Sequence, residues 1–227
     1  MAEHSTERRH HVVKRLEVPF IPDADWDRPE WRDVPELCID QFMGPLPGFV
    51  PVVRVKIMYH PEWIYVIFRV EDQFVRAVEP RVNGRVWEDS CVEFFFSPDA
   101  TNPAAYFNLE VNCAGIPLFH FKDPARPAAV LPSAADIGKI LIAHSIPGLV
   151  NPEVTVPTTW TISYRIPVDM LKTYGVVQPP GPGVTWGANF YKIGDKTSNP
   201  HWMTWSFIDH PVPNFHLPLQ FGSVTFE

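Results

Sequence analysis

The stretch Val52 to Val70, VVRVKIMYHPEWIYVIFRV, reads as two strands and the turn between them. Val52 to Met58 alternates apolar with basic side chains, the period-two pattern of a half-buried strand. Glu62 to Val70 is β-branched and aromatic throughout, which suits a pleated surface. Tyr59, His60 and Pro61 connect them as a hairpin turn, since proline fixes φ and withholds a ladder donor.

Working outward, the same signal recurs along the chain. Cys91 to Phe96 (CVEFFF) and Tyr106 to Asn112 (YFNLEVN) are strand-like, and Ala114-Gly115 turns the chain into Ile116 to Phe121. Trp160 to Ile166, Trp186 to Ile193, Trp202 to Phe207 and Phe221 to Phe226 complete the set. Helix signals are short: Pro167 to Tyr174, stopped by Gly175, and Ser133 to Ile137. The chain holds 26 Pro against 12 Gly, and the prolines lie between apolar runs rather than in one linker. Proline is confined to turns, bulges and sheet edges, so long helices are not expected. These observations predict an all-β fold, a two-sheet antiparallel β-sandwich with one or two short helices. They place a single domain over residues 19–227, preceded by a flexible tail over residues 1–18 that carries the basic run Arg8 to Arg15.

Composition narrows the function. Of 227 residues, 45% are hydrophobic, and the formal net charge is −7. A chain this acidic has no general attraction for a nucleic-acid backbone. Its apolar runs are interrupted well before the ~20 residues a membrane-spanning helix needs. No apolar run follows the basic N-terminal segment as a secretory leader requires. The expected location is therefore the cytoplasm, or a secreted or periplasmic form without its leader. Cys38, Cys91 and Cys113 are odd in number and lack metal-type spacing, so they read as packed thiols.

Polar chemistry is densest from Gly84 to Pro98, GRVWEDSCVEFFFSP. If the strand extends back far enough, Trp87, Asp89, Cys91 and Glu93 share one parity. Glu93 then sits among apolar neighbours, where a carboxylate needs partners. A carboxylate beside an aromatic ring suits a sugar: the pyranose C–H face packs on the ring and its hydroxyls bond to acids and amides. Hydrolysis fits poorly. Asp89 and Glu93 on one strand face stand roughly 13 Å apart, beyond the ~5–5.5 Å or ~6.5–9.5 Å of glycosidase pairs, and Glu88 points to the opposite face. There is no G-x-S-x-G elbow and no glycine-rich phosphate loop. Trp202 and Trp205, three apart, fall on opposite faces, with Trp205 assigned to the core. His201, His210 and His216 lack a tight metal-binding pair and read as hydrogen-bonding loop residues.

The run Val86-Trp87-Glu88-Asp89-Ser90-Cys91-Val92-Glu93-Phe94-Phe95 resembles the tryptophan–acidic–strand signature of family 9 carbohydrate-binding modules. In the same order, Asp23 to Trp31 is similar to the family's opening motif and Val53 to Asp72 to its hairpin. Val111, Asn112 and Gly115 resemble its F-x-V-N-x-x-G strand, and Trp160 to Pro167 its W-x-x-E-x-x-I-P segment, with Tyr164 at the acid. Trp205-Ser206 and Phe215 to Gly222 resemble its closing segment. The resemblance implies a β-sandwich that holds a mono- or oligosaccharide, favouring a reducing-end sugar, between two aromatic walls. By position the walls are Trp87 and Phe215, the latter standing where studied members carry tryptophan. Glu93, Asn112, Asn189, Lys192 and His216 are the implied polar contacts. Glu110 replaces a family arginine, and Ser90 a family acid. The resemblance also implies structural calcium, with Asp72, Asp89 and Asp99 as candidate ligands. Three other readings remain: an interaction domain without sugar affinity, an accessory subunit of a glycoside hydrolase, and a haem-binding relative using Met58, Met170 or Met203 with His120 or His216.

Overall fold

A computed structural model describes residues 7–227. In chain order its elements begin with β1 (His10–Arg15), β2 (Leu37–Cys38), β3 (Gln41–Phe42), β4 (Val52–His60), β5 (Trp63–Asp72) and β6 (Val75–Ala77). Then come β7 (Cys91–Ser97), β8 (Tyr106–Asn112), β9 (Pro117–Lys122), α1 (Ala134–Ile137), β10 (Leu141–His144), β11 (Val150–Val154) and β12 (Thr158–Pro167). The chain closes with α2 (Val168–Leu171), β13 (Thr185–Ile193), β14 (Trp202–Thr204) and β15 (Gly222–Phe226).

The strands form the two facing layers of a β-sandwich. The back sheet runs β10-β12-β5-β4-β1, and the front sheet β1-β15-β13-β7-β8-β9, with β14 and β3 extending it beside β13. A separate ribbon pairs β6 with β11. Pairing is antiparallel except at β1, which is parallel to both its neighbours. His10 to Val13 pair with Ser223 to Phe226, then Lys14 and Arg15 pair with Met58 and Tyr59. One strand thus passes from the front sheet into the back sheet. Within the expected flexible tail over residues 1–18, the described part is ordered as a strand: Val13 is fully buried, and its two-sided pairing supplies the order that a basic terminal sequence does not announce, while residues 1–6 lie outside the described residues.

The β4–β5 hairpin has the expected strands, but its turn is Pro61 and Glu62, because His60 still pairs with Trp63. Val55, Ile57 and Tyr59 point into the inter-sheet core with Val66 and Phe68. The opposite face is buried too: Met58, Tyr65 and Ile67 pack under Phe20, Trp26 and Trp31 from the preceding segment. Lys56 survives there because its Nζ donates to Trp31 O at 3.0 Å and lies 4.5 Å from the Trp26 ring.

In the front sheet, Val92, Phe94 and Phe96 of β7 face the core with Phe107, Leu109, Trp186 and Phe190. Phe94 stacks on Phe190 at 4.8 Å. Burying such rings contributes about 1.5–3 kcal/mol each. The alternate residues Cys91, Glu93 and Phe95 must therefore face outward, onto the surface that carries the site. The helices are short, as expected. Ser133 Oγ caps α1 by accepting from Asp136 N at 3.1 Å, and Gly175 follows α2, its N–H bonding to Leu171 O.

Candidate functional site

The outer face of the front sheet is a shallow polar floor. Glu93 of β7 pairs directly with Glu110 of β8, which pairs with Leu118 of β9. His120 and Lys122 continue the same face, because Phe119 and Phe121 alternate into the core. Over this floor pass the Val86–Glu88 turn and the loop leading into Phe215 and His216. Together they enclose a cleft of about 340 Å³. Its sides include Trp87, Trp202, Ile193 and Phe215, and its floor Glu93, Glu110, His120 and Lys122.

Trp87 is not on the β7 strand, which starts at Cys91, so the strand does not extend back far enough to give Trp87 the parity of Glu93. It sits in a 3₁₀ turn over Val86–Glu88, and buried Asp89 anchors that turn. The Asp89 carboxylate accepts from Val78 N, Glu79 N and Asn112 Nδ2, each at 3.0 Å, and pairs with Arg76 at 2.8 Å. The indole is thereby held half-buried at the cleft edge. Trp202 comes from β14, opposite Ile193 in the ladder. Trp205 is in the core, as assigned, and half-buried Trp202 is left to line the cleft. Phe215 lies flat on Tyr191 at 4.2 Å, and the Tyr191 hydroxyl donates to Phe215 O. His216 stacks on Phe95 at 5.1 Å, its Nδ1 within 2.9 Å of the Tyr106 hydroxyl and 3.1 Å of Lys122 Nζ.

The floor is short of partners. Glu110 is 5% exposed; its Oε1 accepts from Asn108 Nδ2 at 2.9 Å, while Oε2 is unbonded. His120 Nε2 and Asn108 Oδ1 are also buried and unbonded. Burial, and then the neighbouring Glu110, push the Glu93 carboxyl well above the usual carboxylate range. Burial likewise raises Glu110 to about 7, against the opposing pull of its Asn108 hydrogen bond and of Lys122. Burial and the Lys122 charge lower His120 and His216 to about 4, so both imidazoles are neutral at pH 7.

Four of the residues expected from sequence meet here: Trp87, Phe215, Glu93 and His216. Asn112, Asn189 and Lys192 do not line the cleft, which corrects that expectation. Asn112 braces Asp89 and Glu79 from below. Asn189 clamps the chain at Ser206, donating to its carbonyl and accepting from its N–H. Lys192 points to the core side, donates to His201 Nε2 at 2.7 Å and pairs with Asp72 of the back sheet at 3.4 Å. The calcium candidates are also dispersed. Asp72 serves Lys192, Asp89 its turn, and Asp99 accepts from Thr101 Oγ1 at 2.6 Å. Among the described residues no group of three or more His, Cys, Asp or Glu converges as a metal-binding set. Met170 and Met203 lie in the inter-sheet core and Met58 behind the back sheet, each away from His120 and His216 on the outer front face. Sequence reading missed Glu110, His120 and Lys122 as floor residues. The alternation of Pro117 to Lys122 holds the signal for the last two, but pairing Glu110 with Glu93 requires the strand register.

A sandwich that carries aromatic side chains around a polar, under-bonded cleft has the form of a sugar-binding module. The profile of carbohydrate-binding family 9 matches residues 30–226, and the chain belongs to that family. A candidate carbohydrate-binding protein from Bacteroides uniformis is 31% identical, with a TM-score of 0.86 over 97% of this chain and all of that one. A family 9 module from Caldicellulosiruptor kristjanssonii in complex with cellotriose shares the fold at 12% identity, with a TM-score of 0.63 over 96% of this chain and 94% of that one. The same organism's family 9 module in complex with glucose gives 13% identity and a TM-score of 0.62, with 96% of each chain covered. No curated protein matches the sequence.

Proposed function

We propose that the chain binds a mono- or oligosaccharide in the outer-face cleft and leaves its glycosidic bonds intact. One observation carries this reading: buried, unbonded polar atoms at Glu110 Oε2 and His120 Nε2 lie in a floor flanked by half-buried tryptophans. An unbonded buried polar atom costs about 1–3 kcal/mol, and sugar hydroxyls, which both donate and accept, can relieve it. The apolar ring face then packs on indole. Trp202 takes the place expected of Phe215 as the second aromatic wall, because Phe215 already spends one face on Tyr191.

Catalysis is disfavoured by the arrangement of the acids. Glu93 and Glu110 are cross-strand neighbours, with Cβ atoms roughly 4.5–5.5 Å apart. Both lie on one floor, so neither reaches the far side of a bound glycosidic bond, as an acid and its nucleophile must. The family is one of binding modules.

The test is a titration with glucose, cellobiose, xylobiose and galactose, followed by tryptophan fluorescence. Saturable binding to at least one is expected, with Kd in the range ~1 μM to ~1 mM. Trp202→Ala and Trp87→Ala should each weaken it. Unchanged affinity in both variants would overturn the site.

A further inference from the structure

The cleft floor is acidic beyond what a neutral sugar needs. Glu93 and Glu110 stand opposite each other across the β7–β8 ladder, 2% and 5% exposed. Among the described residues no hydrogen bond or ion pair reaches the Glu93 carboxylate, and Glu110 Oε2 is unbonded. Asp195 adds a third acid to the lining. Against these stands Lys122, whose ammonium is directed at His216. His120 and His216 add no positive charge near pH 7, being held at about 4. Tyr106 and Tyr191 beside the floor are raised by burial and stay neutral. Lys192 lies across the sheet, committed to Asp72 and His201. The lining therefore carries three acids against one lysine; Lys122 pulls both buried carboxyls downward from a distance, but neither forms an ion pair with it.

We infer that the cleft selects a sugar bearing a protonated amine, such as a 2-amino-2-deoxyhexose, whose ammonium docks between Glu93 and Glu110. This rests on the sugar-binding reading and names the ligand class. An ammonium supplies three donors and one positive charge. It can satisfy Glu110 Oε2 and the Glu93 carboxylate together, while the hexose ring keeps its face for the tryptophans. A hydroxyl in the same place supplies one donor and no charge, leaving two close carboxyls to share a proton. An N-acetyl group removes the charge and adds bulk.

The experiment compares Kd values for glucosamine, glucose and N-acetylglucosamine by tryptophan fluorescence and calorimetry at pH 7. Glucosamine is expected to bind at least tenfold more tightly than the other two. The preference should fall as pH drops through about 7, where the carboxyl pair fills with protons, and again above about pH 9, where an amine has lost its own. In Glu93→Gln/Glu110→Gln the ratio of Kd values for glucose and glucosamine should collapse toward one. If that variant does not fold, the wild-type pH profile and the N-acetylglucosamine comparison decide. Equal affinity for glucose and glucosamine, or a preference that survives the double substitution, overturns the inference and leaves sugar binding standing. Absence of binding by every sugar tried overturns both.

Discussion

Lys192 shows how one side chain can be assigned to the wrong side of a sheet. A lysine in an aromatic strand beside a suspected ligand slot looks like a ligand contact. In the folded chain it bridges the two sheets through Asp72 and His201. Removing one partner of a buried ion pair strands the other charge, at about 3–5 kcal/mol. Lys192→Met should cost that much in denaturant unfolding while any folded fraction keeps its sugar affinity. Trp87→Ala should do the reverse, weakening binding at least tenfold and shifting Tm by only a few degrees, because the indole is half-buried and its turn is held by Asp89. Trp87 and Glu93 were legible because a tryptophan–acid–strand run is rare and chemically pointed. Asn112, Asn189 and Lys192 were not separable from them, since a polar residue on a strand can brace the interior or face a ligand with the same sequence appearance.

At the level of elements, the β4–β5 hairpin and β7 were readable from β-branched and aromatic content alone. Their faces were not, because outlying segments cover both. The layer of Phe20, Trp26 and Trp31 hides the outer face of the back sheet, and every residue of β7 is buried. Strand β1 falls within the tail expected over residues 1–18, because its His-Lys-Arg composition marks solvent exposure and its partners are remote in sequence. It pairs along both edges and buries Val13. Deleting residues 1–15 should therefore lower Tm by at least about 10 °C in calorimetry, given roughly 2–4 °C per kcal/mol for a domain of this size. A Tm within a few degrees of the full chain would show that the strand adds little.

For the whole molecule, the acidic floor ties stability to pH. Glu110 is raised to about 7 from an ordinary value near 4.5, and Glu93 is raised as well, so the folded state prefers both protonated. Their favourable contribution is complete below the unfolded-state value and is lost as pH rises through the folded one. Substituting Glu110→Gln removes that dependence. The Tm difference, variant minus parent, should become more positive between about pH 4.5 and pH 7, and a flat difference would contradict the buried-acid assignment. The imidazoles of His120, His201 and His216 act oppositely, being lowered by burial, so they destabilise the parent and the variant alike as pH falls below 6.5. A bound sugar at a hundred times its Kd should add about 2.7 kcal/mol of stability.

The ladder between β1 and β15 also sets a timetable for biosynthesis. His10 and Ser223 bond side chain to side chain across 213 positions of sequence. At a ribosomal pace of ~5–20 residues per second, roughly 10–40 s separate the appearance of the first strand from that of its last partner. Throughout that interval the strand that will link the two sheets waits with an open edge, exposed to pairing with other chains. Closure of the sandwich is thus a late event, and the nascent N-terminal strand is the segment with most to gain from being shielded until the C-terminus arrives.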